Sequence, residues 1–220
     1  MSLTYSIKQG DYLAKIAKDH GFSDWKMIWN HPDNTGLKDK RKDPNILYPG
    51  DRLFIPDREE KHESIAVDDT HKFAVKRSKL KLVLVLDEMF KNPMAGTQYQ
   101  LMIDGKVIAK AADGKGKLEV EILPSATDAQ LIIKNTESPV NEIAIPIKIG
   151  HLDPVEERSG QAQRLNNLGY FAGPDPVNDE AENERFFLSA MQEFQCDNNL
   201  AVDGICGPQT QGKLVQIHGA

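Results

Sequence analysis

The chain has 220 residues, 40% of them hydrophobic and 27% charged, with a formal net charge of −6. That composition is soluble and globular, and the length suits two or three domains of about 100 residues or fewer each. A negative balance disfavours nucleic acid and anionic lipid surfaces, which are gripped by clustered Lys and Arg, and no apolar run approaches the ~20 residues that insert into a membrane.

The opening residues MSLTYSIKQGD carry no basic region and no apolar core of a secretory signal, so synthesis in the cytoplasm is expected. Action outside would then require delivery to the periplasm or a target cell by a secretion machine. Two cysteines, Cys196 and Cys206, make no disulfide framework and fit a reducing compartment. Buried apolar thiols and one disulfide formed after export are both open readings.

Tyr5 and Ile7 begin a short strand that runs into a Gly10-Asp11 turn. Leu13, Ile16 and Ala17 then share one helix face, with Asp11 placed as N-cap and Gly21 closing the helix. A second helix is expected from Ser23, another N-cap candidate, with Trp25, Ile28 and Trp29 on one face. These tryptophans read as core in preference to ligand platforms. The stretch NILYPGDRLFIP, from Asn45 to Pro56, is a turn, a strand and a terminating proline.

This strand–helix–helix–strand order resembles a LysM domain over residues 1–57. The resemblance is carried by Tyr5, Gly10, Asp11, Leu13, Ile16, Ala17, Gly21, Asn30, Leu47, Pro49, Gly50, Leu53, Ile55 and Pro56. It implies a groove for peptidoglycan or another N-acetylglucosamine-containing glycan. Its walls would be Gly10, Asp11, Tyr12 and Leu13 on one side and Asn45, Ile46, Leu47 and Tyr48 on the other. Tyr12 replaces the small threonine-like residue usual after Gly-Asp; it either stacks on an N-acetyl group or closes the groove. The stretch HPDNTGLKDKRKDP between Asn30 and Asn45 is longer than typical. Its basic run Lys38, Lys40, Arg41 and Lys42 has three readings: a cover for the groove, a contact for an acidic protein, or a solvated loop.

Residues 58–70 are dense in charge and read as a linker. Beyond them the period changes to two. Leu80, Leu82, Leu84 and Leu86 alternate with Lys81, Val83 and Val85, which suggests a strand apolar on both faces and buried. Asp104-Gly105 between Tyr99–Ile103 and Lys106–Ala109 is a hairpin signal, and Asp113-Gly114 is a second turn. Lys117–Ile122 alternates charged and apolar residues, and Leu131–Ile133 is a further strand. Ile143, Ile145, Ile147 and Ile149 line one face of a last strand. Pro146 marks it as an edge or a bulge, since proline cannot donate to a ladder. These short strands imply an all-β sandwich over 71–150. The run from Pro93 through Gly96, Tyr99 and Asp104-Gly105 to Asp113-Gly114-Lys115-Gly116 resembles the transthyretin-like modules associated with type VI secretion spikes, with Met94 where leucine is usual.

After a linker at 151–159 the pattern is helical again. Leu165 and Leu168, then Phe187, Ala190, Met191 and Phe194, fall on helix faces, and Gly207-Pro208 opens a last helix with proline at its first position. Residues 160–220 are similar to the three-helix PGBD-like peptidoglycan-binding fold. The carrying residues are Leu165, Leu168, Gly169, Tyr170, Ala190, Phe194, Gln195, Leu200, Asp203, Gly204, Gly207, Pro208, Thr210 and Leu214. Cys206 stands where that family usually has an apolar residue. The resemblance implies a groove bordered by Tyr170, Asp175, Asp203, Gly204 and Thr210. For Asp203 and Thr210 the plainer roles of turn former and first-turn residue stand beside the functional one. The expected architecture is therefore multidomain α+β: a βααβ LysM domain, an all-β sandwich and a three-helix bundle.

No catalytic set is expected. The six histidines, His20, His31, His62, His71, His151 and His218, show no metal spacing, and no nucleophile elbow or phosphate loop occurs. Asp175 with Asp179, and Glu182 with Glu184, read as solvated surface rather than a glycosidase pair. The expectation is a non-enzyme without cofactor or metal. Its leading role is modular binding of wall glycan, as an accessory or cargo of a type VI or related contractile secretion system. The alternative is a cytoplasmic adaptor or chaperone that binds a spike or effector protein through repurposed folds. A wall hydrolase lacking its catalytic domain is the third reading.

Overall fold

A computed structural model of the chain describes residues 2–58, 62, 64–72, 80–86, 98–134, 142–174 and 180–220. Its architecture is mixed α and β, with antiparallel sheets. Two compact units form: Met1–Asn45 with Pro49–His151, and Ile46–Tyr48 with Leu152–Ala220. The expected Pro93–Gly96 loop lies outside the described residues.

In the first unit, β1 (Leu3–Ser6) leads through a loop to α1 (Leu13–Asp19). α2 (Lys26–Trp29), a 3-10 turn (Pro32–Asn34) and α3 (Thr35–Lys40) follow, and β2 (Arg52–Ile55) returns antiparallel to β1. Most of the apolar face read from sequence is the core: Leu13, Ile16, Ala17, Ile28, Trp29, Leu53 and Ile55 are all buried, whereas Trp25, also read as core, is half-buried. The cap assignments change. Asp11 does not cap α1, whose N-cap is Tyr12 without a side-chain bond. Instead the Asp11 carboxylate accepts from Tyr5 Oη (2.8 Å) and the Lys8 amide (3.0 Å), bracing the loop after β1. Asp24, not Ser23, accepts from the amide of Lys26 at the start of α2.

The stretch read as an insertion is helical rather than a loose loop. Asn34, 1% exposed, donates to the carbonyls of Ile28 and Phe54 and accepts from the Phe54 amide. One side chain thus ties the 3-10 turn to both α2 and β2, and a buried amide with matched partners is strongly held. The basic run is also engaged. Arg41 Nε and Lys40 Nζ each lie 2.8 Å from the buried Asp51 carboxylate, and Lys38 donates to Asn30 Oδ1. Burial pushes the Asp51 carboxyl up, but these two cations outweigh it and hold it below the usual carboxylate range.

Beside the β1-β2 pair, the other described strands of this unit make two further sheets. β3 (Leu80–Val85) pairs with β6 (Lys117–Ile122), and a four-stranded sheet has the order β5-β4-β7-β8, from Lys106–Ala111, Gln98–Ile103, Asp128–Lys134 and Glu142–Lys148. Tyr99, Leu101 and Ile103, Leu118, Val120 and Ile122, and Leu131 and Ile133 share one core, with Leu80, Leu82, Leu84 and Leu86 packed on it. β3, expected to be buried on both faces, is half-buried on one and open on the other: Val83 and Val85 point outward and are 45% and 59% exposed. The reason is that its sheet has two strands and nothing described covers its outer side. The hairpin between β4 and β5 turns at Asp104-Gly105, both at positive φ. β8 is an edge strand, as its proline requires.

The second unit holds α4 (Arg158–Asn167), α5 (Glu180–Asp197) and α6 (Pro208–His218) around Leu165, Phe187, Ala190, Met191, Phe194 and Leu214. α4 starts within the stretch read as a linker, where Asp153 and Pro154 are buried. The cause is Arg164, 1% exposed, whose guanidinium donates to the carbonyls of Asp153, Gly160 and Ala220 at 2.7–2.8 Å. A buried guanidinium needs such acceptors, and they lash the segment before α4 and the segment after α6 to one helix.

Candidate functional site

Gly10, Asp11, Tyr12 and Leu13, the first wall of the sequence-derived N-terminal groove, are all buried. Tyr12 is 2% exposed, and its hydroxyl lies 3.0 and 2.9 Å from the carbonyls of Pro124 and Ala126 in the β6–β7 loop. Burial, then the charges of Asp104 and Asp19, push its phenol up to about 12. The end of β8 closes on the same ring. A Cβ on Gly150, which sits at φ +78°, would overlap Tyr12 Cδ1, so a side chain there is excluded by both space and backbone. Gln9 Nε2 donates to the His151 carbonyl beside it. Of the second wall, Asn45 is exposed and falls in the first unit, whereas Ile46, Leu47 and Tyr48 fall in the second, with Leu47 buried.

In the second unit the structure brings Asp203, Gly204 and Thr210 together around one residue. Gln195, 1% exposed, accepts from the amides of Asp203 (3.1 Å) and Gly204 (2.8 Å). Its amide donates to Asp203 Oδ1 (2.8 Å), the Ile205 carbonyl (3.0 Å) and Thr210 Oγ1 (3.4 Å). Asp203 Oδ1 also accepts from the Ile205 amide, and the backbone bond of Ile205 and the side-chain bond of Gln195 hold its carboxyl below the usual range. All three residues thus have internal bonds that shape the α5–α6 loop. That loop presents Val202 and Ile205, 54% and 66% exposed. Asp175 lies outside the described residues.

Tyr170 packs edge-on against Phe194 and donates to Asp197 Oδ2 at 2.9 Å. Burial first, then the Asp197 bond, pushes its phenol up to about 12. The residue after it was not singled out from sequence. Phe171 is 59% exposed, with its ring 4.9 Å from that of Phe186 at 65°. Its loop is pinned by Asn166, which accepts from the Ala172 amide (2.8 Å) and donates to the Gly173 carbonyl (2.9 Å). Neither residue carries a sequence signal by itself: an exposed phenylalanine after a tyrosine reads as core until packing is known.

Charge is unevenly spread. Residues 152–220 contain four Lys and Arg against eleven Asp and Glu, a formal −7, while residues 1–151 contain 23 against 22. Among the described residues no cluster of three His, Cys, Asp or Glu is placed to hold a metal ion, and no helix is long and apolar enough to cross a membrane.

Residues 162–214 match the family "Putative peptidoglycan binding domain". The match spans the region from α4 into α6 and supports a C-terminal peptidoglycan-binding domain there. No curated protein and no solved structure matches the chain.

Proposed function

We propose that the chain is a non-catalytic, modular binder of cell-wall glycan whose wall contact is made by the C-terminal three-helix unit. The carrying observation is that the family match at 162–214 falls on a unit with its own closed core and a loop fixed by Gln195. The test is co-sedimentation of the full chain with purified sacculi. Saturable pelleting is expected, and protein that stays in the supernatant at high concentration overturns the reading.

The β1–α1–α2–β2 order with antiparallel β1 and β2 supports a LysM-type N-terminal module. Two antiparallel sheets around one core support a transthyretin-like sandwich in the middle. Together with the resemblance of the sandwich to spike-associated modules, they support a role as accessory or cargo of a type VI or related contractile system, made in the cytoplasm and delivered across the envelope.

One observation favours a second reading, an adaptor that binds a spike or effector protein through repurposed folds. The Gly10–Leu13 loop is buried, with Tyr12 bonded to the β6–β7 loop, rather than offered to a glycan. Capture of a spike protein by the full chain, without pelleting on sacculi, would select this reading.

A further inference from the structure

Phe171 is an unusual use of a phenylalanine. A ring left 59% exposed forgoes most of the burial free energy that normally justifies it. Yet its position is held tightly. Asn166 bonds the backbone on both sides of Ala172 and Gly173, and Phe186 supports the ring in the tilted edge-to-face arrangement that aromatic pairs favour. Gly173, at φ +98°, lies so close to the Asn183 carboxamide that a Cβ would overlap it, which fixes the loop against α5. The result is an outward-facing aromatic ring on a loop held from behind, the kind of flat apolar surface that small-molecule sites use.

We propose that Phe171 is the stacking platform of the peptidoglycan-binding domain and takes one neutral N-acetylated pyranose ring of a glycan strand. This rests on the wall-binding reading and names the ligand part that the domain contacts. Two observations select a sugar over other occupants. A single ring is far smaller than the roughly 800 Å² per partner of a stable protein interface, but it matches the C–H face of one pyranose, which is attracted to the negative face of the aromatic ring. The formal −7 of residues 152–220 opposes the carboxylates of stem peptides and other wall anions, whereas a neutral sugar is indifferent to it.

The experiment uses the full chain, intact sacculi, and soluble, uncharged, peptide-free strands of N-acetylglucosamine; strands freed by amidase would carry a lactyl carboxylate on every second sugar. Wild-type protein is expected to pellet, the soluble strands to compete, and added salt to leave pelleting unweakened. Phe171→Ala should bind about tenfold more weakly with an unchanged melting profile, and Phe171→Trp should retain binding. Ile217→Ala, at an exposed apolar position on α6 of the same unit, should bind as wild type. If Phe171→Ala pellets like wild type, or if peptide-free strands fail to compete while intact sacculi bind, the platform is overturned and wall binding stands. If wild-type protein does not pellet at all, both fall.

Discussion

Tyr12 and Phe171 are aromatic residues in short loops beside glycines of positive φ, each in a segment that resembles a glycan binder, and they have opposite fates. Tyr12 is 2% exposed and bonded to the β6–β7 loop; Phe171 is 59% exposed on a loop that Asn166 holds from behind. The difference teaches that a binding resemblance marks a loop, while packing decides whether that loop faces solvent. In the first unit the loop has become a joint between the βααβ segment and the strands. In the second it remains a presented surface.

The sharpest way to break this comparison is Tyr12→Ala. Removing a buried ring should cost about 3–5 kcal/mol, lowering the thermal transition of the first unit while sacculus pelleting is unchanged. Stronger pelleting by Tyr12→Ala would instead mean that the tyrosine closes a working groove. Gln195→Leu is the converse. It strands the amides of Asp203 and Gly204, each with a desolvation cost of about 1–3 kcal/mol, so the second unit should melt earlier and pelleting should weaken. The reverse pattern in scanning calorimetry would show that the α5–α6 loop does not depend on Gln195. Tyr12→Phe is milder: it removes the shared donor to Pro124 and Ala126 and should cost about 1 kcal/mol in urea unfolding.

The tyrosines also give a pH signature common to both units. Tyr5, Tyr12 and Tyr170 are each raised from an ordinary 10 to about 12, chiefly by burial. Because the folded value lies above the unfolded one, their contribution is intact below pH 10 and is lost as the pH climbs towards 12. Absorbance at 295 nm should show late-titrating phenols that include Tyr5, Tyr12 and Tyr170, and Tyr12→Phe should remove one of them and blunt the alkaline loss of stability. Early titration of all five tyrosines would contradict the burial of Tyr12. The smallest expected effect concerns the thiols. Both cysteines are free; Cys196 is exposed, whereas burial pushes the Cys206 thiol up to about 11. One thiol should react quickly with a disulfide reagent at neutral pH and the other slowly until unfolding. Two equally fast thiols would place Cys206 at the surface.

Much of the fold was legible because periodicity reports which face is apolar. Leu13, Ile16 and Ala17 at helical spacing, and Leu118, Val120 and Ile122 at alternate positions, are core residues in the structure. Backbone chemistry was equally readable: Asp104-Gly105 turns a hairpin, Pro146 sits on an edge strand, and Pro208 opens α6. Capping was harder. Asp11 and Asp24 satisfy the same loop rules, but which amide a carboxylate finds depends on the neighbouring chain, and Tyr5 claimed Asp11. The stretch after Asn30 misled for a similar reason. Lys40 and Arg41 look like a solvated charge run until Asp51, ten residues further on, is brought beside them.

By itself the sequence determined the segments, their helical or strand character, and the residues that match a peptidoglycan-binding domain, because propensity, turn chemistry and apolar spacing are local properties of the chain. The tertiary structure decided which side chains remain available. It buried Tyr12 and left Phe171 in the open, and it turned Asp203, Gly204 and Thr210 into partners of Gln195. Exposure depends on elements distant in sequence, and a hydrogen bond goes to whichever donor or acceptor the fold brings within about 3 Å.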